Sequence, residues 1–260
     1  MAAGIPIEKA QQYLEEFGAL LMEHKNLDPF TEKRVRAELS VAPTHITNIA
    51  LSYLDAITGK VENGLPYLRS CLDVNVNDAN LAMHYYQILF HTFRYNEINS
   101  VSYSLADKYL TKRFSYIAYS RAYRYGDRDK LVHYMDMHIK LLSESEGRSD
   151  AMQHKDELLS EMDSFYNATQ CSPEQLKVLA SIIWTLLGDH KATTGFVQLS
   201  SSGCYVVDIG NAEPKAIAKM NFELADKVCS EPILEDCALL ARFTSPRQLH
   251  TGVSYRVGNK

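Results

Sequence analysis

The feature that most constrains this chain is a recurring helical period broken by turns at near-constant spacing. From residue 44 the apolar positions recur every three or four residues, as on one face of a helix. The turns fall near Gly59, Arg94 and Gly126, 35 and 32 residues apart. Paired helices follow from this. One pair runs from Thr44 to Ile57 and from Asn63 to Leu72. A second runs over about 79–94 and 97–110, and a third over about 112–125 and 129–142. A period in this range marks helical hairpins that cannot bury their apolar faces singly and stack on their neighbours instead. An irregular helical bundle with a chance period is the alternative.

Within each hairpin, two positions where small residues let the helices cross, with an apolar position between them on the second helix, fall on Gly64, Leu68 and Cys71, then Asn99, Tyr103 and Ala106, then Leu131, Met135 and His138. Over about residues 44–142 this resembles the tetratricopeptide (TPR) repeat. The first repeat carries the pattern best; the third has lost both small residues. The resemblance implies an α-hairpin array that binds another protein through an extended surface.

Two further helices are expected before the array, over 7–25 and 31–39, the second opened by Asp28-Pro29. After Leu142 comes the polar stretch SESEGRSDAMQHKDE, either a linker or an exposed helix start, and then a helix through Leu158–Tyr166. The pattern changes at Ser172-Pro173-Glu174-Gln175, a capping-box helix start. Apolar residues surround nearly the whole circumference of the helix that follows, so it should be buried. Phe196–Leu199 and Cys204–Ile209, joined by four polar residues, read as a β-hairpin. A helix from Pro214 with a stripe of Ile217, Met220, Leu224 and Val228 follows, then a third strand at 238–243. The tail from Thr244 is expected to be loosely ordered. The expected fold is mainly α: a TPR-like α-hairpin array over 1–170, and a small C-terminal α+β cap containing a β-hairpin over 171–260. An unpaired second hairpin strand would be an edge for dimer pairing.

Composition narrows the function classes. A net charge of −5 opposes nonspecific nucleic-acid binding by the whole surface but allows a local patch. Five irregularly spaced cysteines without a CxxC read as reduced thiols of a cytoplasmic protein. No signal peptide is evident. The longest apolar run, around 178–187, is too short to span a bilayer.

The candidate site is the stretch 108–125. It carries Lys108, Lys112, Arg113, Arg121 and Arg124 with no acidic residue between them, and ten of the chain's 16 tyrosines lie between residues 85 and 134. Tyr and Arg dominate binding hot spots, and the same mixture suits stacking and phosphate contacts on nucleic acid. Tyrosines filling helix–helix contacts beneath a solvated cationic face would produce the same pattern. The expected partner-binding residues are Arg94, Lys112, Arg113, Tyr116, Arg121, Tyr123 and Arg124. Another protein is the expected partner, with nucleic acid as the alternative. Catalytic residues, metal ligands and cofactors are not expected. The histidines lack metal-site spacing. A Cys204–His190 nucleophile is a minor alternative. Val206-Val207-Asp208-Ile209-Gly210 resembles a methyltransferase strand motif over five residues only, without that motif's further glycines.

Overall fold

The computed structural model describes residues 7–41, 43–74 and 78–247. The protein is mainly helical with a small three-stranded sheet near the C-terminal end. It divides into two compact units, Met1–Arg94 and Tyr95–Lys260. The boundary therefore falls at Arg94 and not at residue 170. The small α+β cap packs against helices that precede it in the chain and shares the second unit with them. The expected pair over 79–94 and 97–110 lies across this division. The expectation for the tail beyond Arg247 lies outside the described residues.

The first unit holds α1 (Ile7–Met22), α2 (Pro29–Ser40), α3 (His45–Ile57), α4 (Val61–Asp73) and α5 (Ala79–His91). Local chemistry explains the starts. Asp28 Oδ1 accepts from the N–H groups of Phe30 and Thr31 at 3.1 and 3.0 Å, and Thr44 and Thr47 form a reciprocal capping box. Helix α3 is the centre of this unit, packed on α1, α2 and α4. Its hairpin with α4 turns at Gly59, whose φ of 74° suits glycine. The two helices cross where Gly64 meets Ser52. A Cβ on Gly64 would lie 2.6 Å from Ser52 Cα, and Ser52 Oγ donates to the Gly64 carbonyl at 3.1 Å.

The second unit holds α6 (Tyr95–Tyr109), α7 (Lys112–Arg124), α8 (Arg128–Leu141), α9 (Arg148–Thr169), α10 (Pro173–Asp189), β1 (Thr194–Leu199), β2 (Cys204–Ile209), α11 (Pro214–Cys229) and β3 (Leu240–Thr244). Helices α7 and α8 form the expected hairpin around Gly126. At its crossing the bulk is reversed relative to the first hairpin. His138 on α8 is fully buried, and the small residue is Ser115 on α7, 3.0 Å from His138 Nδ1. The polar stretch after Leu142 is a helix start: α9 begins just past Gly147 and buries Ala151, Met162, Phe165 and Thr169 along one side. Helix α10 opens on the Ser172–Gln175 capping box and is buried as expected, with Trp184 against Tyr95 of α6.

Strands β1 and β2 pair antiparallel across the Ser200–Gly203 turn, and β3 returns through α11 to lie parallel to β2. The order β1-β2-β3 makes β2 central. The condition for dimer pairing at β2, an edge left open, is not met: its second side is taken by β3.

Candidate partner-binding face

Helix α7 carries most of the expected site. Thr111 caps it, its Oγ1 accepting from Phe114 N at 3.3 Å. At about 100° per residue, Lys112, Arg113, Tyr116, Ser120 and Arg124 fall within roughly 120° of arc. Arg113 and Tyr116 are exposed, and the other three are half-buried. Four of the seven expected residues thus share one outward stripe. The Tyr116 ring leans on Tyr119 and His138, with centroids 5.2 and 6.2 Å away, which fixes its orientation. Lys112 is ion-paired with Glu146, and this pairing holds the Glu146 carboxyl well below its usual range, at about 2.

The remaining three expected residues lie elsewhere. Arg94 belongs to the first unit and is half-buried and ion-paired with Glu62. Tyr123 is buried, although it lies two turns beyond Tyr116 on the same side of α7. Strand β1 covers it: its hydroxyl accepts from Leu199 N at 3.0 Å, and the Glu161 carboxyl lies beside it. Burial holds the Tyr123 phenol well above its ordinary value and raises the Glu161 carboxyl. Arg121 is 1% exposed. Its guanidinium lies 4.7 Å from the Trp184 ring centroid and 6.0 Å from that of Tyr95. Arg124 approaches the same indole at 5.0 Å. The expectation that Arg121 and Tyr123 face a partner is thus replaced by interior positions. Helical periodicity gives the side of a helix, and tertiary cover decides which part of that side meets water.

The cationic stretch is accordingly divided. Arg121 is inside, Arg124 stacks on Trp184, Lys112 is paired, and Lys108 lies over Tyr109 at 5.4 Å. Among the described residues, no group of three or more His, Cys, Asp or Glu is placed to hold a metal ion, and no helix is long and apolar enough to cross a membrane.

The other motifs find local partners. His190 Nε2 lies 2.5 Å from Glu223 Oε2. It precedes Thr194, which pairs with Ile209, whereas Cys204 opens β2 at the opposite end. The length of the strand, about 16 Å, separates the two, which removes the nucleophile pair. Asp208 is 5% exposed and receives Arg247, with Nε at 2.8 Å and the backbone N at 3.1 Å. It therefore clamps the chain after β3.

Sequence reasoning missed Phe222, which is 80% exposed on α11 in line with exposed Ala218, Ala225 and Cys229. The signal was present. Phe222 falls outside the Ile217–Met220–Leu224–Val228 stripe, so a large apolar residue was due on the opposite face. It also missed a groove in the first unit lined by Pro29, Glu32, Lys33, Arg36, Ser40 and Lys60.

No protein-family model, curated protein or solved structure matches this chain.

Proposed function

We propose that this is a noncatalytic cytoplasmic interaction protein, an adaptor or regulatory component, whose TPR-like hairpins present the outer stripe of α7 to another protein. The observation that carries the reading is the pairing of exposed Arg113 with exposed Tyr116 on the part of α7 that β1 leaves uncovered. Tyr and Arg bury much area at low entropic cost, and a tyrosine already held by Tyr119 and His138 loses little freedom on binding. The division of the cationic stretch favours a protein partner. Continuous phosphate contact needs adjacent available cations, and here the neighbours of Arg113 are paired, stacked or buried.

The test is affinity capture from cytoplasmic extract with the wild-type chain and an Arg113→Glu, Tyr116→Ala double variant, with and without nuclease. A discrete protein retained by the wild type should fall at least tenfold in the variant, at an unchanged melting temperature and regardless of nuclease. Equal retention by both forms, or retention abolished by nuclease, would overturn the reading.

A further inference from the structure

Among the described residues, the interior of the second unit holds a cation with no anion paired to it. Arg121 is 1% exposed, and its Nη1 and Nη2 atoms are buried with no hydrogen-bond acceptor. No carboxylate among the described residues is ion-paired with it. Its neighbours are aromatic: Trp184 at 4.7 Å, Tyr95 at 6.0 Å, and the phenols of Tyr103, Tyr125 and Tyr205, all of which feel its charge. Ring faces offset part of the lost hydration, but they leave the in-plane N–H donors unanswered. The Tyr205 hydroxyl, which donates to the Arg124 carbonyl at 2.8 Å, is a hydrogen-bond partner of neither Nη. A second guanidinium, Arg124, lies against the same indole and adds positive potential.

We infer that the Arg121 guanidinium, held against Trp184, anchors an internal binding site for a small monovalent anion of halide or formate size. The two Nη groups supply charge-assisted donors. Water would satisfy the donors but leave the charge uncompensated. The site lies apart from the Arg113–Tyr116 face and stands or falls independently of partner binding.

Trp184 is the chain's only tryptophan, so it reports on the site directly. Bromide titrated into the full chain at constant ionic strength, with sulfate, a larger divalent anion, as the balancing salt, should quench tryptophan emission along a saturating curve. Chloride and formate should each reverse the quenching competitively. Arg121→Met should shift the bromide half-saturation upward at least tenfold. If that variant does not fold, saturation and competition in the wild type carry the test alone. Quenching that is linear in bromide and indifferent to chloride and formate would mean that water alone fills the site and would overturn the proposal.

Discussion

His138 shows how one side chain ties packing to pH. The ring is fully buried, and Nδ1 lies 3.1 Å from the Lys112 carbonyl, an acceptor only, so this nitrogen carries the proton of the neutral ring. Ser115 Oγ lies 3.0 Å from the Thr111 carbonyl, to which it can donate its own proton. Burial, partly offset by the Lys112 carbonyl, depresses the imidazolium pKa to about 4. The unfolded chain takes up this proton near pH 6.5 and the folded chain does not. Stability is therefore full above pH 6.5 and is lost as the pH falls toward 4. Between pH 7 and 5 the loss should be about 2 kcal/mol from this group. His84, His91 and His154 are also depressed by burial and add in the same direction. Urea unfolding of His138→Gln at the two pH values should show a loss smaller by that amount, and parallel pH profiles for the two proteins would refute the assignment. Gly64 makes the complementary case. Helix propensity alone favours alanine there by roughly 1 kcal/mol, but the added Cβ would meet the Ser52 backbone at 2.6 Å, and overpacking costs about 1–3 kcal/mol. Backbone yields less than a side chain, so Gly64→Ala should lower the thermal midpoint; a midpoint at or above that of the wild type would mean that the helices part freely. The need for a small residue at Gly64 was legible in the sequence. The reversal at Ser115 and His138 was not, because it depends on which helix yields space.

The elements themselves were legible wherever their signals are local. The starts at Asp28, Thr44 and Ser172 bond within three residues of themselves, and the β-hairpin turn carries its own glycine at a φ of 80°. The parallel pairing of β3 was not legible, because its partners lie 36 residues away on β2 and part of its pairing is supplied by a side chain. Asn221 on α11 donates Nδ2–H to the Phe243 carbonyl at 2.9 Å and accepts from Phe243 N at 2.8 Å. An amide side chain thus ties the edge of the sheet to the helix that crosses to it and occupies backbone groups that an open edge would present to another chain. Phe243 is buried, so both groups would lose their partners in dry surroundings in Asn221→Ala, at a cost of about 1–3 kcal/mol. Hydrogen exchange at Phe243 should accelerate at least tenfold, while the β1–β2 amides keep their protection. Uniform acceleration across the sheet would show instead that Asn221 supports the whole unit.

At the scale of the molecule, the division at Arg94 was hidden because a repeat pattern is continuous across it, whereas the partition of contacts depends on which later segments return. Helix α10 packs on α6, and Tyr123 and Tyr205 tie α7 to the strands through Leu199 N and the Arg124 carbonyl. The sheet-bearing segment thereby takes the last helical hairpin into its own unit, and the first unit is left with a core of its own around Leu54, Leu65, Leu68 and Leu89. Two cores of this kind need not melt together. Trp184 sits in the second unit only, with Tyr95, Arg121 and Arg124 around it, whereas helices in both units contribute to far-ultraviolet circular dichroism. In urea, tryptophan emission should therefore follow one sigmoid, and circular dichroism should show a broader or two-step transition with part of its amplitude outside that sigmoid. Gly64→Ala, a change confined to the first unit, should shift only the part of the dichroism curve that tryptophan does not report. If the two probes superimpose in the wild type and shift together in the variant, the two units unfold as one cooperative body.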